Sequence, residues 1–335
     1  MANPAQEQHQ TDASPLSKKT IPRPASARKE ASLAEKQAAH KRAWASQPKI
    51  LNNHHRVFLG DARAMEGLNA SETVHLVVTS PPYWDLKKYE ADQDGAQLGH
   101  LSDRNTFLES LAQVWRQCYD RLVAGGRMCV VVGDVCRSRR SHGRHLVEPL
   151  HAHILLQGQE IGFDPLSPII WNKIANAVTE VRGNGSGFLG KPYEPNAIIK
   201  NDIEYILNFR KPGGYRHPTE EQRALSLISK EDHARWFQPI WTDVPGENQR
   251  KHPAPFPFEI ARRLIGMYSF VGDTVLDPFW GIGTTTAAAM QMHRSSIGFE
   301  IEPKYLVAGS EKLDLLSEYS EIEFNVPEDI RSMLG

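Results

Sequence analysis

Cysteine is scarce. The chain of 335 residues holds three, Cys118, Cys129 and Cys136, and no two of them form a C-x-x-C pair. That argues against a disulfide framework and against a cysteine-based zinc site, and it fits a reducing cytoplasm. No apolar run approaches the length of a membrane span, and the first residues carry no apolar signal-peptide core, so no membrane partner is expected. The net charge is −1, so any surface for nucleic acid has to be local rather than global. The strand-to-helix glycine turn at 281–283 does not have the G-x-G-x-x-G spacing, which counts against a nicotinamide or flavin oxidoreductase. Also missing is a Pro-Cys dipeptide.

What is present is ample apolar content, 40% of residues against 24% charged, enough for one large domain or two small ones. Residues 1–50 stand apart. They hold nine Lys or Arg against four acids, with prolines at 4, 15, 22 and 24. A basic tail, largely disordered, is expected, with a short helix over 32–44. Such a tail suits contact with DNA phosphates and equally suits plain solvation. From about residue 51 to 335 the pattern is that of one domain.

Short apolar runs at 56–61, 74–79, 127–132, 168–171, 202–209, 274–277 and 296–301 alternate with stretches of helical spacing, such as Phe107 to Leu122. This predicts an α/β fold: a doubly wound, mostly parallel seven-stranded sheet with helices on both faces, the strand near Asp202 being antiparallel. Helices are also expected over 145–158 and 257–268.

Two stretches carry chemistry. Thr274 to Thr286 reads T-V-L-D-P-F-W-G-I-G-T-T-T, a buried strand, a glycine turn and a helix start. Such a turn lets a ligand approach bare backbone and aims helix N–H groups at it. A second strand ends in Glu300-Ile301-Glu302, where an acidic side chain would hold ribose hydroxyls. Together they predict a nucleoside-cofactor site. The other stretch is Ser80-Pro81-Pro82-Tyr83, directly after a buried-type strand. Two prolines remove two N–H donors and fix φ twice. The loop would present a hydroxyl and carbonyls as acceptors beside an aromatic ring, which suits a planar ligand bearing an amino group, such as a base swung out of a duplex.

In this order, the two stretches resemble those of the beta-class DNA amino-methyltransferases of restriction–modification systems, whose T-S-P-P-Y/F loop precedes a D-P-F-x-G-x-G-T loop. Gly60-Asp61, the run Lys251 to Pro257 (K-H-P-A-P-F-P) and Ile297-Gly298-Phe299-Glu300 are similar to three further family motifs. The likeness covers about residues 55–316. Ile282 stands where many members have Ser, and Ala62 replaces the Ser that follows Gly-Asp.

The resemblance implies a Rossmann-like methyltransferase fold with circularly permuted motif order, S-adenosyl-L-methionine as cofactor, no metal and double-stranded DNA as substrate. It implies a role in the cytoplasm and nucleoid of a prokaryote, with a cognate restriction endonuclease as a further expected partner. Ser80, Pro81, Pro82 and Tyr83 would be catalytic, with Tyr83 stacking on the base. Asp277, Phe279, Gly281, Gly283 and Thr284 would form the cofactor loop. Glu300 would take the ribose hydroxyls, Asp61 the adenine end, and Phe256 would lie near the methionine. Within the family Ser in the first position of the tetrapeptide goes mostly with cytosine N4, and Asp or Asn with adenine N6. Cytosine N4 is therefore the expected target and adenine N6 the alternative. RNA as substrate, or a non-catalytic nucleic-acid-binding protein, are further readings. The missing Pro-Cys dipeptide argues against cytosine-C5 chemistry.

Candidate DNA contacts are Lys87 and Lys88 after the catalytic loop, the basic cluster Arg137, Arg139, Arg140 and Arg144, and Arg182 in a flexible Gly-rich run. Residues 215–250 interrupt the sheet pattern and are the candidate target-recognition insertion, with Trp236 and Trp241 expected in the core.

Overall fold

The computed structural model describes residues 33–69, 71–84, 97–101, 103–137, 139–173, 201–246, 257–314 and 321–334. In chain order its strands are β1 (His54–Leu59), β2 (Val74–Thr79), β3 (Leu122–Val132), β4 (Val135–Arg137), β5 (Leu146–Glu148), β6 (Asp164–Asn172), β7 (Ile203–Arg210), β8 (Ile240–Trp241), β9 (Thr274–Asp277), β10 (Ser295–Glu300) and β11 (Glu321–Asn325). The helices are α1 (Leu33–Ala45), α2 (Arg104–Arg121), α3 (Arg139–His142), α4 (Leu150–Ile161), α5 (Glu220–Leu225), α6 (Lys230–Trp236), α7 (Phe258–Tyr268), α8 (Thr284–Gln291), α9 (Pro303–Asp314) and α10 (Glu328–Arg331).

Nine strands form one sheet in the order β11-β1-β10-β9-β2-β3-β7-β6-β8. All seven expected strands are in it. The short β8 and the terminal β11 extend its two edges, and both lie outside the expected pattern. Only β7 runs against its neighbours, β3 and β6; every other pairing in this sheet is parallel. β4 and β5 pair separately as a small antiparallel ribbon. It takes up residues 146–148, so the helix expected from 145 begins at Leu150.

The continuous apolar character of the central strands follows from their having two covered faces. Val77, Met128, Val130, Leu276 and Phe299 pack with Phe107, Leu111 and Trp115 of α2 and with Ile154 of α4. On the other face Leu76, Val78, Cys129, Val131 and Val275 pack with Ile260, Leu264 and Ile265 of α7 and with Ala288 and Ala289 of α8. Pushing a leucine-sized group from water into such a layer is worth about 2 kcal/mol.

α1 forms where a short helix was expected, and it is docked. His40 Nδ1 lies 2.7 Å from the Ala224 carbonyl, and the Trp44 ring meets His293 edge-on at 4.8 Å. Trp236 and Trp241 are each 1% exposed, in the core as expected. The front of the candidate recognition stretch anchors at the amino ends of the strands. Arg216 pairs with the buried Asp273, just before β9, at 2.5 and 2.6 Å, and Ser226 Oγ accepts the Val271 N–H.

Two crossovers set the place where ligands bind. From β9 the chain passes through α8 to β10, on one side; from β2 it passes through α2 to β3, on the other. β9 and β2 are neighbours, so the carboxyl ends of these two strands flank the switch point of the sheet, where open α/β sheets take their ligands.

Candidate active site

β2 delivers Ser80-Pro81-Pro82 and β9 delivers Pro278 to Gly283 to the same end of the sheet. The two strand ends are tied together: the Thr79 hydroxyl donates to Asp277 Oδ1 at 2.7 Å, across 198 residues of sequence. The same oxygen accepts the Phe279 N–H at 3.1 Å, turning the chain out of β9. Asp277 is 2% exposed, and burial pushes its carboxyl up to about 6. Its task is therefore internal. It joins the two loops from below and does not line the cleft above them.

The turn that follows is locked by Trp280. This indole is 2% exposed and donates to Thr286 Oγ1 at 2.8 Å. Glycines surround it. A Cβ at Gly298 would lie 2.1 Å from the ring, one at Gly309 2.5 Å and one at Gly283 2.8 Å. Gly283 also has φ of 75° and caps α8. The glycines at 283 and 298, from two different motifs, thus make room for the tryptophan of the first, in addition to any approach by a ligand.

Above this floor lies an open cleft. Of the expected residues, Asp61, Ser80, Pro81, Pro82, Phe279, Gly281 and Glu300 line it. Glu300 stands at the end of β10 and is 9% exposed. Its Oε2 accepts the Gly281 N–H at 2.7 Å and its Oε1 accepts the Glu302 N–H at 2.9 Å. Burial raises this carboxyl to about 7. Each oxygen keeps a lone pair for a hydroxyl donor. Asp61 is held by Arg63, whose Nε lies 2.8 and 3.0 Å from its two oxygens. The walls between these acids are apolar: Leu98, Pro278, Phe279, Phe299 and Ile301. A carboxylate for sugar hydroxyls beside apolar walls fits a nucleoside-bearing cofactor.

Other expected residues lie elsewhere. Thr284 is buried in the first turn of α8, where its hydroxyl accepts from Lys312 Nζ at 3.3 Å. The Tyr83 ring is 7% exposed and packs in the core beneath the catalytic loop instead of lining the cleft. Its hydroxyl donates to Glu204 Oε2 at 3.0 Å and lies 3.3 Å from Ser80 Oγ. Arg137 is 8% exposed, its guanidinium 4.1 Å from the centre of the Trp84 ring, whereas Arg140 and Arg144 beside it are exposed. Arg139 starts α3. Lys87, Lys88, Arg182 and Phe256 lie outside the described residues.

Sequence reasoning passed over Gln97, Leu98, Gly99 and Tyr305 in the cleft wall, and Lys173 and Glu204 behind the catalytic loop. Glu204 carried a readable signal: it is the one acid in β7, near the start of a mostly apolar strand. Among the described residues no cluster of His, Cys, Asp or Glu could hold a metal, and no helix is long and apolar enough to cross a membrane.

A family model for DNA methylases of the N6/N4 amino-methyltransferase type matches residues 74–311, a span that includes both loops. The chain belongs to this family. It is 37% identical over 304 residues to the Type II methyltransferase M.MjaI of Methanocaldococcus jannaschii, covering 82% of this chain and 96% of that one. A Thermus thermophilus protein, assigned as a DNA modification methylase and solved with S-adenosyl-L-methionine, is 47% identical. It covers 81% of this chain and 97% of its own, with a TM-score of 0.66. PvuII DNA methyltransferase, cytosine-N4-specific, shares the fold at a TM-score of 0.57 and 18% identity, over 84% of this chain and 92% of that one. The chain is thus an S-adenosylmethionine-dependent DNA methyltransferase of the restriction–modification type.

Proposed function

We propose that this methyltransferase modifies the exocyclic N4 amino group of cytosine in duplex DNA, as the modification partner of a cognate restriction endonuclease in a prokaryotic cytoplasm. The observation that carries the reading is Ser80: a hydroxyl heads the catalytic loop and stands on the same cleft as Gly281 and Glu300. When bound, S-adenosylmethionine supplies an electrophilic methyl carbon on its sulfonium.

The chain's own groups prepare the nucleophile. The lone pair of an exocyclic amino nitrogen is delocalised into its ring. Acceptors at Ser80 Oγ and the Pro81 carbonyl draw the amino hydrogens out of the ring plane and turn the lone pair toward the methyl carbon. The double proline keeps those acceptors at fixed positions, so the acceleration is one of orientation and electrostatic preorganisation. Glu300 holds the ribose hydroxyls, and Asp61 faces the adenine end. The target base leaves its stack to reach the cleft. Arg140 of α3 and Arg144 lie in the connection between β4 and β5, both exposed, and Arg137 at the end of β4 meets Trp84 next to the catalytic loop, so the two arginines suit phosphate contact.

The test is methyl transfer from labelled S-adenosylmethionine to unmethylated genomic DNA, followed by digestion to nucleosides and chromatography. N4-methylcytosine is the expected product. N6-methyladenine would replace the base assignment and leave the enzyme standing. Absence of label from every DNA offered would end the enzymatic reading.

A further inference from the structure

Behind Ser80 a line of polar groups leads away from the cleft. Ser80 Oγ is 3.3 Å from the Tyr83 hydroxyl, which donates to Glu204 Oε2 at 3.0 Å. The other oxygen of Glu204 accepts from Lys173 Nζ at 2.8 Å. Glu204 is 6% exposed, and Gly133, at the end of β3, leaves the room it occupies: a Cβ there would lie 3.3 Å from Glu204 Cγ.

The donors along this line can be ordered from its far end. An ammonium only donates, an ionised carboxylate only accepts, and a hydroxyl has one proton to give. Lys173 donates to Glu204. Tyr83 gives its proton to Glu204, so toward Ser80 it can only accept. Ser80 then directs its own proton to Tyr83, and its lone pairs are left for the cleft. We propose that Glu204, held by Lys173, is a positioning residue that sets the polarity of this chain and makes Ser80 an obligate acceptor for the amino N–H of the target base.

The inference rests on the reading of the cleft as an amino-methylation site and holds for either base. It answers a difficulty of that reading. A neutral hydroxyl can turn its proton toward the substrate and oppose the amino hydrogens; one whose proton is already committed cannot.

Glu204→Gln reverses the line. Lys173 can only donate, so it claims the amide oxygen, and the amide NH₂ faces Tyr83. Tyr83 must then accept there and give its proton to Ser80, whose O–H turns into the cleft. Tyr83→Phe cuts the line, so that nothing at position 204 reaches Ser80. The measurement is steady-state methylation of unmethylated genomic DNA, with calorimetric binding of S-adenosylmethionine as the check that each variant is folded. For Glu204→Gln a fall in kcat of about tenfold or more is expected, the size of one mis-paired buried hydrogen bond, with the KM for cofactor within about twofold. Tyr83→Phe alone is expected to cost about threefold, because the Ser80 proton loses its fixed acceptor but gains no wrong one. The double variant should match Tyr83→Phe, so that a second substitution restores activity to the first. Glu204→Ala, which releases the Tyr83 proton to turn toward Ser80, should lose kcat and be rescued by Tyr83→Phe in the same way. Losses that multiply in the double variants, or a Glu204→Gln enzyme with wild-type kcat, overturn the proposal while an active wild type leaves the amino-methylation reading intact. A wild type that labels no DNA overturns both.

Discussion

On the side of the cleft proposed for the cofactor, Gly281 and Glu302 give backbone N–H groups to Glu300, and a tryptophan wedged among glycines holds the turn. On the target side the backbone offers little. Two prolines have no N–H, and the fixing is done by side chains: Ser80 against Tyr83, Tyr83 against Glu204, Glu204 against Lys173. One wall pairs a carboxylate with main-chain N–H groups within one short stretch of strand and turn, the other is built from side chains drawn from three strand ends. A ligand common to many enzymes can be met by the first kind of wall. A particular reacting atom needs the second kind.

Substitutions on the two walls should therefore fail in different ways. The largest effect is expected for Ser80→Ala, with kcat reduced about a hundredfold or more, as for loss of one preorganised group at the reacting atom. Binding of S-adenosylmethionine, measured by calorimetry, should stay within about twofold of wild type. If cofactor binding collapses instead, the division between the walls is wrong.

Glu300→Gln is the mirror case. The amide cannot accept at both positions, so one of the two backbone N–H groups loses its partner, and cofactor affinity should weaken by about tenfold with a smaller change in kcat. A pH series sharpens this. Burial lifts Glu300 from 4.5 to about 7 and Asp277 from 3.8 to about 6. Between those limits the folded chain binds more protons than the unfolded one, so their contribution to stability is full at acid pH and is lost as pH rises through the window. His55, lowered to about 4 by burial, acts in the opposite direction. Comparing the Tm of wild type and Glu300→Gln at each pH removes the His55 part, and the wild-type curve should fall relative to the variant between pH 4.5 and about 7. Cofactor affinity should run the other way in the wild type, rising as Glu300 ionises through about pH 7, and should be flat in the variant.

The smallest effect is expected outside both walls. Arg140→Ala and Arg144→Ala should each weaken DNA binding a few-fold at moderate salt and lower the salt dependence by about one counterion, with kcat at saturating DNA unchanged. A loss in kcat would move these arginines into the site.

The cofactor wall is legible in the sequence because it depends on local order. A strand, a glycine turn and a helix start within thirteen residues can be recognised without knowing what they touch, and the acid of Glu300-Ile301-Glu302 lies one strand further on. Ser80 and the two prolines are legible for the same reason. Tyr83 reads as a ring facing the base, yet its hydroxyl has a buried partner more than a hundred positions away, and only the antiparallel seat of β7 beside β3 brings that partner close. Arg137 reads with its basic neighbours, but alternation along β4 turns it inward onto Trp84 while Cys136 is exposed. Charge in a sequence says what a residue is, and the register of a two-stranded ribbon decides which way it faces. β8 and β11 escape notice because edge strands of two and five residues carry no sustained apolar run.

β1 and β2 follow one another in the chain, but in the sheet β10 and β9 stand between them. While the ribosome is still making residue 270, the nascent protein has a two-strand gap at the middle of its sheet, with the inner edges of β1 and β2 unpaired and Thr79 without its aspartate. Everything made before that moment waits on the last fifth of the molecule. Prematurely terminated copies should be inert, sticky fragments and no partial modifiers of DNA.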